Sequence, residues 1–68
     1  MPLVQIRLLE GRTPDQKEAM FAAVTEALCR TVDCQPGDVR IEAIDMARDQ
    51  YAVGGTSIAR RDRIAAGP

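Results

Sequence analysis

The chain has 68 residues, enough for one small domain that buries a limited core and usually needs disulfides, metal or partner subunits for stability. Nine basic and ten acidic residues are spread along it and give a net charge of −1, which argues against a nucleic-acid-binding surface. No apolar run approaches the length of a membrane span and no charged-then-apolar leader opens the chain, so we expect a cytoplasmic protein.

The composition also predicts how the domain is stabilised. Hydrophobic residues make up 46% of the chain, but Phe21 and Tyr51 are its only aromatic residues, so the core must be aliphatic and thin. Cys29 and Cys34 are five residues apart, which on a helix would point them to different faces, and the chain has no histidine. We therefore expect two reduced thiols, no disulfide and no metal site, with self-association as the remaining source of buried area.

The first predicted elements are a strand over residues 3–9 and a helix that follows a short loop. The strand alternates between one apolar face and one mixed face, the latter carrying Leu3, Gln5, Arg7 and Leu9. Thr13 can cap the helix, Pro14 suits its first position and Gln16 can complete a capping box. The apolar residues then recur at helical spacing to about Val32, which predicts an amphipathic helix.

A second strand is predicted over residues 39–47, after a turn at Pro36-Gly37. The order of strand, long helix and strand over residues 3–47 predicts an α/β fold. We expect a single βαβ unit with parallel strands and a right-handed crossover. One helix covers only one face of such a sheet. The other face carries apolar residues among polar ones, so we expect another subunit against it.

The remaining residues are predicted to form a short hairpin and a tail. Residues 51–56 read as a strand that enters a turn at Gly54-Gly55, a pair more typical of a hairpin than of an anion site. From Arg60 onward we expect a frayed tail, flexible over about residues 62–68. The whole chain, residues 1–68, is predicted to be a single domain.

Pro2 is the first candidate for chemistry. If Met1 is removed, which the small Pro2 should permit, the chain begins with a free secondary amine. A site without histidine must use a carboxylate, a thiol or the amino terminus for proton transfer. An ordinary α-amine has a pKa of about 7.7–8.0, which burial and neighbouring cations lower. The alternative is that proline is merely tolerated at the first position of a strand.

Arginine supplies eight of the nine basic residues, and its planar fork suits carboxylates. Arg12 lies in the loop after the first strand, and Arg40 lies at the start of the second strand on the face away from the helix. Arg7 shares that face, where an ion pair with Glu42 is its expected role. Considered alone, Arg12 and Arg40 are also compatible with solvated surface charge.

These residues together resemble the 4-oxalocrotonate tautomerase family. The resemblance runs from residue 2 to about residue 61 and joins a terminal proline to both arginines and the glycine pair. It rests on Pro2-Leu3-Val4-Gln5-Ile6, Leu8-Leu9-Glu10-Gly11-Arg12, Asp15-Gln16-Lys17-Glu18, Val39-Arg40, Met46-Ala47 and Val53-Gly54-Gly55.

The resemblance implies a homohexamer of βαβ protomers, a trimer of dimers, that isomerises an unsaturated diacid such as 2-hydroxymuconate without a cofactor. Pro2 would be the general base and Arg12 would bind the distal carboxylate. Arg40 would bind the other carboxylate and the 2-hydroxyl region, and can come from a neighbouring subunit. Tyr51 would form an aromatic wall that keeps the amine neutral, and Leu9 is assigned with it to substrate binding. The expected role is in bacterial aromatic catabolism.

Some residues depart from the family pattern. Tyr51 stands where the best-known members have phenylalanine. Ala52 and Val53 stand where dehalogenase relatives have a water-activating acid, which disfavours hydration of a haloacrylate. While Met1 is attached, the Pro2 nitrogen is a tertiary amide without basicity. The alternatives are a superfamily enzyme of another reaction, such as decarboxylation or hydration, and a non-catalytic assembly or binding module.

Overall fold

The computed structural model describes residues 1–67. Strand β1 (Leu3–Leu9) is followed by helix α1 (Pro14–Val32), a 3₁₀ turn, and strand β2 (Arg40–Met46). A second 3₁₀ turn leads to the two-residue strands β3 (Ala52–Val53) and β4 (Thr56–Ser57) and to helix α2 (Ile58–Ala66). No helix of the described residues is long and apolar enough to cross a bilayer.

The two long strands form the parallel sheet that the sequence predicts. Leu3 lies opposite Arg40 and the register continues to Leu9 opposite Met46. One further hydrogen bond extends the ladder at each end: the Arg40 amide donates to the Pro2 carbonyl at 3.0 Å, and the Glu10 amide donates to the Met46 carbonyl at 2.9 Å. The predicted βαβ unit is confirmed.

Helix α1 begins with the predicted capping box. The Gln16 amide donates to the Thr13 hydroxyl at 3.1 Å, and the Thr13 amide donates to the Gln16 side chain at 2.9 Å. Pro14 occupies the start of the helix, where a missing N–H costs nothing. The helix ends at Val32 and is capped by Asp33, whose φ of 56° is left-handed and turns the chain back.

This reversal corrects the expectation for the cysteines. Cys34 follows the end of α1 rather than continuing it, so the two thiols do not point to different helix faces. The sulfur atoms of Cys29 and Cys34 are 3.9 Å apart. Both cysteines are free thiols.

The two faces of the sheet differ in exposure. Val4, Ile6 and Leu8 are half-buried on the face covered by α1, where Lys17 of the helix pairs with Asp45 of β2 at 2.5 Å. On the open face, Leu3 is 78% exposed.

The ion pair predicted on this open face is wrong. Glu42 accepts a hydrogen bond at 2.8 Å from Gln5, its register partner, whereas Arg7 lies opposite Ile44. Register determines the partner here, because directly opposite side chains are closer than diagonal ones.

The protomer is extended and has little core. Among residues 1–67 no side chain is fully buried. The radius of gyration is 16.0 Å, whereas a compact domain of this length would have about 11 Å. The accessible surface is 5198 Å², against about 4200 Å² for a folded monomer of this mass. The open sheet face, on which apolar residues lie among polar ones, is not covered by any other element of the described residues.

The hairpin and α2 extend from the carboxyl end of β2. Gly54 and Gly55 have φ values of 62° and 87°, which a tight hairpin requires, and the predicted hairpin is confirmed. The predicted frayed tail from Arg60 is wrong through Ala66, because Ser57 accepts a hydrogen bond from the Arg60 amide and caps α2. Pro68, the end of that predicted tail, lies outside the described residues; the single-domain extent of the chain stays a prediction.

The capping box predicts a measurable contribution to stability. In Thr13→Ala the Gln16 amide loses its acceptor, so we expect the free energy of unfolding to fall by about 1 kcal/mol. Thr13→Ser keeps the hydroxyl and is the control. Urea unfolding at one protein concentration measures both, and equal midpoints for the two variants would contradict the assignment.

Candidate active site

Pro2 lies at the amino end of β1, where its carbonyl is fixed by the Arg40 amide. It is half-buried and lines a cleft with Leu28 and Val32 of α1 and with Cys34 and Asp38 beyond it. Met1, which precedes it, is 83% exposed. With Met1 attached the ring nitrogen is an amide; without it, the nitrogen would be an amine at the edge of a partly apolar cleft.

Arg40 is joined to Pro2 through its backbone but not through its side chain. The guanidinium donates to the Gly37 carbonyl at 2.6 Å. Strand alternation places the Arg40 side chain on the open face beside Leu3, while Pro2 borders the side of α1. Within one protomer, the guanidinium and the proline ring therefore lie on different sides of the sheet.

Arg12 lies in the exposed loop after β1. Its guanidinium makes one long hydrogen bond, 3.5 Å, to the Leu9 carbonyl. Gly11, with a φ of 120°, provides the turn that carries Arg12 away from the strand. A weakly held guanidinium on an exposed loop is available to bind an anionic ligand.

Leu9 and Tyr51 lie at the same end of the sheet as Arg12. Leu9 is the last residue of β1 and is half-buried, whereas Tyr51 is 43% exposed and follows the 3₁₀ turn after β2. The Tyr51 carbonyl accepts a hydrogen bond of 2.9 Å from the Ile58 amide, which fixes the Tyr51 backbone against the start of α2. Apolar, aromatic and cationic side chains are therefore found at this end of the sheet.

The predicted site residues thus occupy opposite ends of one protomer. Pro2 and Arg40 lie at the amino end of the parallel strands, and Leu9, Arg12 and Tyr51 lie at the carboxyl end. Leu9 is seven residue steps along the extended chain from Pro2, a distance of about 23 Å at about 3.3 Å per residue. One small ligand cannot contact both groups within a single protomer.

Arg48, which was not among the predicted site residues, also lies near the Arg12 loop. Arg48 pairs with Asp62 of α2 at 3.0 Å, and its guanidinium lies 3.9 Å from where a side chain on Gly11 would begin. This places a second positive charge, besides that of Arg12, at the loop after β1. Arg48 follows β2 by two residues, and the Met46 carbonyl at the end of β2 accepts a hydrogen bond from the Glu10 amide. The position of Arg48 just after the second predicted strand was the signal in the sequence that could have placed it near Arg12.

Comparison with known proteins identifies the family. The model of the family described as "Tautomerase enzyme" matches residues 2–61. The chain belongs to this tautomerase family. The match confirms the resemblance found in the sequence. Because tautomerases are isomerases, the protein belongs to that class of enzyme.

Its relatives include enzymes of named activity. A 2-hydroxymuconate tautomerase of Pseudomonas putida is 40% identical over 55 residues, which cover 81% of this chain and 87% of the relative. A 4-oxalocrotonate tautomerase isozyme of Methylibium petroleiphilum has a solved structure with a TM-score of 0.90 and 41% identity, covering 93% of this tautomerase and 98% of that chain.

A further solved structure concerns assembly. It is a heterohexameric 4-oxalocrotonate tautomerase from Chloroflexus aurantiacus, with a TM-score of 0.83 and 32% identity. The match covers 87% of this tautomerase and 95% of that chain. The fold described above is therefore one that a related protein uses in an oligomer.

Proposed function

We propose that this tautomerase converts a 2-hydroxydienoate diacid such as 2-hydroxymuconate to its 2-oxo-enoate isomer, without a cofactor, with Pro2 as the general base. The observation that carries the proposal is the placement of Pro2 at the strand end, half-buried beside a cleft and preceded by an exposed Met1. Because Met1 is 83% exposed, its removal would disrupt little packing. The relatives named as 2-hydroxymuconate tautomerases support the substrate class.

The reaction needs one base and two anion-binding groups. The Pro2 amine would take the proton from the 2-hydroxyl group and return it to a distal carbon of the conjugated chain. A positioned base of this kind contributes about 10² to 10⁴ in rate. Arg40 would bind the carboxylate beside the hydroxyl, and Arg12 would bind the distal carboxylate and stabilise the negative charge that moves towards it.

The site is proposed to be completed between protomers of a homohexamer, arranged as a trimer of dimers. One protomer would supply Pro2, and another would supply Leu9, Arg12 and Tyr51, because the strand length separates these groups within a chain. The exposed Leu3 face and the absence of a fully buried side chain among residues 1–67 support association. So does the hexamer of the Chloroflexus relative.

Replacing the proline tests the base. In Pro2→Ala we expect kcat/KM for 2-hydroxymuconate to fall by about 10², the lower part of the range for a positioned base, because alanine leaves a primary amine in its place. Intact mass should show that wild type and variant both lack Met1. Unchanged ketonisation by the variant would remove Pro2 from the mechanism.

Replacing Arg12 tests recognition of the distal carboxylate. In Arg12→Ala we expect kcat/KM for the diacid to fall by about tenfold to a hundredfold, since charge-assisted hydrogen bonds contribute about 1.5 to 3 kcal/mol. A dienol monoacid without that carboxylate should be affected little. Arg30→Ala is the matched control, because Arg30 lies exposed on α1 in a loose 3.8 Å pair with Glu26. Equal losses for both substrates would contradict the role of Arg12.

A further inference from the structure

The two cysteines form a close pair that the proposed reaction does not use. Cys29 lies in the last turns of α1, and the left-handed Asp33 returns the chain so that Cys34 faces it. Their sulfur atoms are 3.9 Å apart. A disulfide bond is about 2.05 Å long, so the sulfurs need to approach by about 2 Å, a movement within the range of side-chain rotation.

Both thiols border open surface. Cys34 lines the cleft that also contains Pro2, Leu28 and Asp38. Cys29 lines a separate, more apolar groove on the outer side of α1, next to Pro36. Both residues are half-buried, so a small oxidant has access from either side.

The surroundings assign different roles to the two sulfurs. Partial burial, the contact with Cys34 and the negative charge of Asp38 all raise the pKa of Cys29. Cys29 therefore stays protonated to higher pH, and it is a poor first nucleophile because the thiolate is the reactive form. Cys34 lies beyond the end of α1, in the loop that lines the Pro2 cleft, and this position opens its sulfur to peroxide from the cleft.

We propose that Cys29 and Cys34 are a peroxide-oxidisable dithiol that closes to an intramolecular disulfide. The Cys34 thiolate attacks hydrogen peroxide, forming an S–O bond while the O–O bond breaks and the released hydroxide becomes water. The Cys29 sulfur then attacks the Cys34 sulfenic acid; the S–S bond forms, the S–O bond breaks and a second water leaves. Two thiols lose two electrons and one peroxide is reduced to two waters.

The disulfide would join the end of α1 to the loop that leads into β2. That loop forms one wall of the Pro2 cleft and continues to Arg40, whose amide binds the Pro2 carbonyl. Oxidation would thus link the loop between α1 and β2 covalently to the end of α1, beside the amino terminus. The inference stands on the thiol geometry and does not depend on the proposed function.

Peptide mapping of the full-length protein after peroxide treatment tests the proposal. Arg30 lies between the cysteines, so trypsin separates them into peptides 18–30 and 31–40. We expect loss of both free thiols, recovery of these two peptides joined, migration as a single chain on a non-reducing gel, and full reversal by dithiothreitol. Cysteines oxidised separately, thiols that do not react, or disulfides between chains would overturn the proposal.

Serine variants test the order of the steps. Peroxide-treated Cys29→Ser should accumulate a Cys34 sulfenic acid that dimedone traps, because the second thiol is missing. Cys34→Ser should be trapped much less. Equal trapping in both variants would overturn the assigned order, and the wild-type peptide map decides whether the bond forms even if a serine variant fails to fold.

Discussion

The parallel pairing of β1 with β2 determines where every candidate residue lies. Parallel strands bring both amino ends to one edge of the sheet and both carboxyl ends to the other. Pro2 and Arg40 therefore meet at one end, joined by a 3.0 Å hydrogen bond, while Arg12 and Tyr51 lie at the other. A crossover helix of 19 residues makes this pairing possible, and it covers one face of the sheet only.

The same constraint connects stability with catalysis. The described part of the protomer has no fully buried side chain, and Leu3 is exposed on an open sheet face. Association would cover this apolar surface. Pro2 and Leu9 lie about 23 Å apart along β1, and the Arg12 guanidinium contacts the Leu9 carbonyl. The base and the distal guanidinium therefore need a second chain to bring them together. Under the proposed function, one assembly would satisfy both needs, so subunit contacts that stabilise the protomer would also build the active site.

Local patterns in the sequence predicted the parts of the fold that depend on neighbouring residues. The Thr13 to Gln16 capping box and the Gly54-Gly55 turn are of this kind. One error was also local, since Ser57 caps a helix over residues predicted to be a frayed tail. Two others arose where distant segments or a chain reversal determine the contact. The partner of Glu42 depends on strand register, and the position of Cys34 depends on the left-handed residue that ends α1. Pro2, Arg12 and Arg40 were singled out from the residues themselves, and the resemblance added Leu9 and Tyr51. The division of these residues between two ends of the sheet required the structure.

Subunit mixing tests the shared site most directly. Pro2→Ala and Arg12→Ala proteins would be unfolded together in equal amounts, refolded, and assayed with 2-hydroxymuconate, with each variant refolded alone as a control. If Pro2 and Arg12 of one site come from different protomers, random assembly gives about a quarter of the sites both native residues, and activity returns well above either control. Activity equal to the mean of the two controls, from protein that refolds and assembles normally, would contradict the account.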